Sequence, residues 1–141
     1  SVAFFVIIIS KGGDYMKLNP DCIRDILLVV EKQTDFNNLA SFTNREDFEQ
    51  LPMYSPNEIM YHIRQCDHSG LFLDKVIYVS EGCFVKDLSP KGHEFLADIR
   101  QDTNWNRTKD IAKNVGSYSI KALSGIASQV IADVISRQFN Q

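Results

Sequence analysis

The stretch Ser55–Leu71, SPNEIMYHIRQCDHSGL, decides the fold that the sequence predicts. Ser55 is a good N-cap, Pro56 sits in the first turn and Glu58 occupies the third position, a combination typical of a helix start. Apolar or weakly polar residues follow at helical spacing: Ile59, His62, Ile63 and Cys66. Gly70 is placed as a helix stop, and the apolar residue after it often accompanies such a cap. The pattern predicts a helix over about 56–69.

A hairpin and a further helix are predicted after this helix. Lys75–Ser80 and Cys83–Leu88 are rich in β-branched and aromatic residues, with Glu81-Gly82 as the connection between them. Ser89 and Pro90 then repeat the helix-start signature. The apolar face of this last helix consists of Phe95, Leu96 and Ile99.

Two helices and a short strand are predicted before the helix at 56–69. Asn19 as N-cap and Pro20 at the first position begin a helix over about 20–33, whose apolar face is Ile23, Ile26, Leu27 and Val30. The polar segment 34–42 carries turn signals and a short strand around Leu39–Phe42. A short helix over about 43–51 is predicted from Thr43 as its cap and Glu46 as the capping-box partner, with Phe48 and Leu51 on its buried side.

The composition shifts after Arg100. Ser119–Phe139 predicts an amphipathic helix of about five turns, and Trp105 is expected to anchor the C-terminal segment to the preceding domain. The charged residues of the helix argue against a membrane span, and its polar face lacks the strongly basic character of a helix that lies on a membrane surface. We expect this helix to pack on its own chain or to form a homodimer, because a lone amphipathic helix needs a partner for its apolar stripe.

This order of elements is that of a winged helix-turn-helix domain. Residues 59–71 resemble the recognition helix of winged-helix regulators, in which x-H-L-x-x-L-x-x-x-G-L is common. Residues 85–96 resemble the exit from their wing, where L-T-x-K-G-x-x-F-L is typical. The predicted fold is therefore mainly α with a small β-hairpin wing: a winged helix-turn-helix over 16–100, followed by a helical extension over 101–141.

The chain also resembles a family of small uncharacterised proteins of bacteria and their phages, classed as a domain of unknown function. The resemblance is carried by MKLNPDCIRDILL at 16–28, DLSPKGHEFLADIR at 87–100, and W-N-x-x-K with I-A-x-x-V-G-S-Y-S between 105 and 119. It covers essentially everything after residue 15 and implies no activity.

DNA binding is the function that a winged helix implies, with helix 56–69 in the major groove. The residues on its groove face would be Asn57, Tyr61, Arg64, Gln65 and His68. Asn, Gln and Arg suit base edges, and we expect Arg64 and Gln65 to make the base contacts. Lys75 and Lys86 on the hairpin, with Lys91 just after it, are the candidates for phosphate contacts.

Charge argues against this function. The chain of 141 residues carries a net charge of −3, but residues 16–99 hold 8 basic and 14 acidic residues, whereas 100–141 hold 6 and 3. DNA affinity depends heavily on Lys and Arg that neutralise phosphates. The alternative is an adaptor that binds another protein and no DNA.

Other chemistry has weak support in the sequence. His62 and Cys66 share a helix face near His68, but zinc sites are usually built from closer pairs such as C-x-x-C, so no metal site is predicted. No phosphate-binding loop, dinucleotide fingerprint or nucleophile elbow is present, so we expect neither a cofactor nor catalysis. Three cysteines, an odd and small number, favour a reduced cytoplasmic protein.

The first fifteen residues differ from the rest. Val2–Ile9 is a run of eight apolar residues, too short to span a membrane, although it would suit a short buried strand. Lys11-Gly12-Gly13-Asp14 is what AAA-GGA-GGT-GAT encodes, a purine-rich ribosome-pairing element placed one codon before Met16. The hypothesis is that residues 1–15 are a translated upstream region of a protein that starts at Met16.

Overall fold

The computed structural model describes residues 16–140, so the hypotheses about residues 1–15 lie outside the described part of the chain. The described residues form six helices and three strands. The elements between residues 16 and 100 follow the predicted order. These are α1 Pro20–Gln33, β1 Ala40–Phe42, α2 Arg45–Glu49, α3 Pro56–His68, β2 Ile77–Val79, β3 Gly82–Val85, α4 Pro90–Ile99, α5 Asp102–Val115 and α6 Ile120–Phe139. The fold is mainly α with a small antiparallel sheet, which confirms the predicted class.

The ends of α3 follow the signals in the sequence. The Ser55 hydroxyl accepts a hydrogen bond from the Glu58 N–H at 3.1 Å, as an N-cap does. At the other end Gly70 has a φ of +75°, and the Leu71 N–H donates to the Cys66 carbonyl at 3.1 Å. This bond and the glycine form a Schellman cap, which buries Leu71 against the core.

The short helix α2 departs from its predicted cap. Asn44, rather than Thr43, caps it, through a bond from the Asp47 N–H to the Asn44 side chain at 2.9 Å. The Asp47 carboxylate in turn accepts the Thr43 N–H at 3.0 Å, so Asp47 takes the role predicted for Glu46. In the sequence, Thr43 and Asn44 are both suitable N-caps with an acidic residue three positions later. The strand ends at Phe42, and the helix begins at Arg45, directly after Asn44.

The sheet has the strand order β1-β3-β2, with both pairs antiparallel. The hairpin strands are shorter than predicted because the flanking residues leave the ladder, although Phe72 and Leu88 still form an isolated bridge. Gly82 belongs to β3 and not to the turn. A Cβ on Gly82 would lie 1.7 Å from the Phe42 carbonyl oxygen, so only glycine allows β1 and β3 to approach this closely.

A second close approach joins α3 to α4. A Cβ on Gly92 would lie 2.1 Å from the Leu71 carbonyl oxygen. The Ser89 N–H donates to that same oxygen at 2.9 Å, and the Ser89 hydroxyl donates to the Gly70 carbonyl at 2.6 Å. The start of α4 is therefore fixed on the C-terminal cap of α3.

The extension folds back on the rest of the chain as two helices, of which the sequence placed only the second. Helix α6 packs on α4 and α5, and buries Ile120, Leu123, Ala127 and Val130. Trp105 on α5 is 2% exposed and its indole N–H donates to Asp21 on α1 at 2.8 Å, so it is the predicted anchor. No helix in the part of the chain that the structure describes has the length and apolar character needed to cross a bilayer.

Candidate nucleic-acid interface

Helix α3 presents the predicted contact residues on one side. Asn57, Arg64 and His68 are exposed, and Tyr61 and Gln65 are half-buried. The opposite side of the helix is fully buried and consists of Ile59, His62, Ile63 and Cys66. The helical spacing in the sequence therefore separated the two faces correctly.

Arg64 is the strongest candidate for a base contact. Its guanidinium carbon lies 5.5 Å from the centroid of the Tyr61 ring, a cation–π arrangement that holds the long side chain against its own helix. Among residues 16–140 Arg64 takes part in no ion pair, so its N–H groups remain available to a ligand.

The hairpin is fixed on α3 by Asp67. This carboxylate accepts the Val76 N–H at 3.3 Å and the Tyr78 hydroxyl at 3.1 Å. Burial and the neighbouring Asp67 raise the pKa of Tyr78 to about 12, so its hydroxyl stays protonated and continues to donate at neutral pH. Tyr78 also lines the groove that carries Arg64, so this carboxylate adds a negative charge close to the proposed contact face.

The structure separates the three predicted phosphate-contacting lysines. Lys75 is exposed at the start of the hairpin and forms no ion pair within the described residues. Lys86 pairs with Asp74 at 2.8 Å and lines a cavity of about 370 Å³ beside the turn at 35–39. Lys91 donates to the Ser69 carbonyl at 3.1 Å, at the C-terminal end of α3.

A groove between α3 and β2 was missed by the sequence reasoning. It has a volume of about 180 Å³, and its lining residues are Asn57, Met60, Tyr61, Arg64 and Tyr78. On the edge strand β2, Ile77, Tyr78 and Val79 are 54%, 46% and 38% exposed. Their β-branched and aromatic character predicted the strand, but an exposed edge strand and a buried one have the same signal at this length.

Comparison with known proteins assigns the chain to a family. The model of the hypothetical protein family DUF2513 matches residues 17–119. The chain belongs to the DUF2513 family. An uncharacterised protein of Haemophilus influenzae is 28% identical to this DUF2513 protein over 125 residues, which is 86% of this chain and all of the relative. No solved structure matches the chain.

His62 has a structural position in this DUF2513 protein. It is fully buried, its Nδ1 lies 2.8 Å from the Glu58 carbonyl, and its Nε2 accepts the Asn19 N–H at 2.8 Å. The acceptor role of Nε2 places the proton on Nδ1. Within residues 16–140 no group of three or more His, Cys, Asp and Glu residues could hold a metal ion, and His62 serves to join α3 to the start of α1.

The cysteines of the DUF2513 protein are free and buried. Burial raises the pKa of both Cys22 and Cys83 to about 12, and raises that of Cys66 as well. The thiolate is the nucleophilic and metal-binding form of cysteine. These three residues therefore act as small apolar residues of the core at neutral pH.

Proposed function

We propose that this protein is a small winged helix-turn-helix regulator that binds double-stranded DNA through α3. One observation carries the proposal: Asn57, Tyr61, Arg64, Gln65 and His68 share the outer side of a helix that lies beside a β-hairpin. Residues 16–100 form four helices and a three-stranded sheet, and a helix followed by a β-hairpin within such an arrangement resembles a winged-helix domain. In a helix-turn-helix the second helix of the motif enters the major groove.

The chemistry of this face suits a few base contacts better than many phosphate contacts. Arg64 presents a planar fork that fits the two acceptors of guanine, and Gln65 suits adenine. Lys75 stands at the hairpin with its charge unpaired within residues 16–140. The 8 basic and 14 acidic residues of 16–99 imply that few phosphates are neutralised, so we expect a shallow dependence of affinity on salt.

A selection from random duplex DNA tests the proposal. We expect a preferred site, and we expect Arg64→Ala to weaken binding to it by about 5- to 150-fold, because a bidentate pair is worth about 1–3 kcal/mol. Arg64→Lys keeps the charge but loses the fork, so it should lose nearly as much if the contact is to a base. The measurement is fluorescence anisotropy at roughly 50 mM salt.

Lys113→Ala is the control, since it removes one positive charge from an exposed position on α5 and should leave the affinity unchanged. Full affinity in Arg64→Ala would remove Arg64 from the interface. Absence of any duplex binding at low salt would overturn the DNA-binding proposal.

Absence of duplex binding would favour a second function, that of an adaptor that binds another protein and no DNA. The observation in its favour is the edge strand β2, whose three apolar residues are all exposed beside Met60. An unpaired edge with apolar side chains is a template for an extended segment of a partner protein.

We also propose a homodimer formed through the last turns of α6. Ile131, Ile135 and Phe139 recur every four residues on one side, and Ile135 and Phe139 are 50% and 85% exposed. These three residues lie next to the buried face of α6, and α6 of a second copy of the chain would cover them.

Light scattering after gel filtration measures the dimer. We expect about twice the chain mass of 16.1 kDa for the wild type, and one chain mass for Ile135→Ser combined with Phe139→Ser. Val115→Ser, which changes an exposed residue on α5, should remain dimeric. A monomeric wild type or a dimeric double variant would contradict the proposed interface.

A catalytic role is not part of the proposal. The buried thiols with raised pKa values and the structural position of His62 make these residues unsuited to act as nucleophile or base.

A further inference from the structure

We infer that a cavity between the C-terminal end of α3 and the start of α6 binds a phosphate-bearing anion. The cavity has a volume of about 390 Å³, within the usual range for small-ligand sites. Its lining residues are His68, Ser69, Lys91, Ile120, Lys121 and Ser124.

Five of the six lining side chains can donate a hydrogen bond, and none of the six is acidic. Lys91 from α4 and Lys121 from α6 bring two ammonium groups to the cavity from different elements, and His68 adds an imidazole from α3. The lining contains two hydroxyls and no carboxylate. Two positive charges and several donors suit a phosphate, which offers up to two negative charges and several acceptor oxygens.

The backbone around the cavity is held in place. Lys91 donates to the Ser69 carbonyl at 3.1 Å, which leaves two further N–H groups on its ammonium for a ligand. Ile120 is 6% exposed and fixes the first turn of α6 in the core.

This site does not include Arg64, but it shares His68 with the proposed DNA-binding face and Lys91 with the predicted phosphate contacts. A phosphate group reaches it either from the backbone of bound DNA or from a free phosphorylated molecule. The cavity joins the first 100 residues to the helical extension, so a ligand held by Lys91 and Lys121 would bridge the two parts.

Inorganic phosphate is the probe for the first experiment. It is titrated into the full chain at constant ionic strength, and the ring signals of His68 and the amide signals of Ile120 and Lys121 are followed by NMR. We expect a saturable shift, and about a two- to fivefold loss of affinity in Lys121→Ala, because Lys121 is exposed and solvent screens an exposed charge contact. Lys121 makes no ion pair or side-chain hydrogen bond within residues 16–140, so its removal should leave the thermal midpoint unchanged.

Lys113→Ala is the matched control and should bind phosphate like the wild type. No saturable shift in the wild type, or an equal affinity in Lys121→Ala, would overturn the inference. The source of the phosphate follows from the affinity of Lys121→Ala for duplex DNA. A loss that parallels the phosphate result assigns the site to the DNA backbone, and an unchanged DNA affinity assigns it to a free phosphorylated ligand.

Discussion

Gly92→Ala should unfold at a far lower urea concentration than the wild type. A Cβ at this position would lie 2.1 Å from the Leu71 carbonyl oxygen and 3.0 Å from the carbonyl carbon. Both atoms belong to the backbone of the α3 cap, so no side-chain rotation relieves the overlap. The start of α4 must move away, which breaks the bonds from the Ser89 N–H to Leu71 and from the Ser89 hydroxyl to Gly70.

We expect a loss of at least about 3 kcal/mol in the free energy of unfolding, the upper end of what overpacking costs. The better helix propensity of alanine returns only about 1 kcal/mol of this. Because a domain is stable by about 5–15 kcal/mol in total, this loss removes a large share of the stability. Urea denaturation followed by circular dichroism measures the change.

Gly125→Ala is the control for this substitution. Gly125 also lies in a helix, is exposed, and has no atom within 4 Å of the position that a Cβ would take. Alanine should therefore raise the free energy of unfolding by about 0.5–1 kcal/mol. Equal midpoints for Gly92→Ala and the wild type would refute the close approach of α4 to the α3 cap.

This contact also explains why the sequence predicted the elements of residues 16–100 well. The G-L that ends α3 and the S-P-K-G that begins α4 are separated by the hairpin in sequence but meet through Gly70, Leu71, Ser89 and Gly92. Each signal has a local physical cause, a positive φ or a capping hydroxyl, so it can be recognised without knowing the tertiary structure.

The candidate site was less predictable because its parts are set by tertiary contacts. Helical spacing identified the outer face of α3, but it did not reveal that Lys86 turns toward Asp74 or that Lys91 reaches the Ser69 carbonyl. The cavity lined by Lys91 and Lys121 depends on how α6 folds back on α4. Helix α5 was not placed because no side chain caps its start and its buried stripe combines Trp105 with the polar Thr108 and the small Ala112.

The second large effect is expected for Trp105→Ala. Trp105 is 2% exposed between α1 and α5, with Arg24 and Lys109 at 5.9 and 5.4 Å from its ring centroid. Removal of a buried aromatic side chain costs about 3–5 kcal/mol, because apolar contacts are lost and a cavity remains. Asp21 also loses the indole N–H that it accepts at 2.8 Å. Urea denaturation followed by circular dichroism is the measurement, since the chain has a single Trp and the variant lacks its fluorescence.

Trp105→Phe separates packing from the hydrogen bond. It keeps an aromatic ring but loses the indole N–H, so we expect a smaller loss of about 1–2 kcal/mol at neutral pH. Burial alone would raise the pKa of Asp21, but the hydrogen bonds from Lys109 and Trp105 outweigh it and hold that pKa below the ordinary value of 3.8. A carboxyl with a lowered pKa in the folded state stabilises the fold above its unfolded pKa, and this contribution disappears as the pH falls through the folded value.

The pH dependence therefore distinguishes the two roles of Trp105. The part of the Trp105→Phe loss that comes from ionised Asp21 should shrink between about pH 6 and pH 2, because the carboxyl becomes protonated in both proteins. The Trp105→Ala loss should stay large over the same range, since packing does not titrate. A Trp105→Phe loss that is independent of pH would assign the role of Trp105 to packing alone. A Trp105→Ala loss below about 1 kcal/mol would show that the extension is not anchored on α1 through this residue.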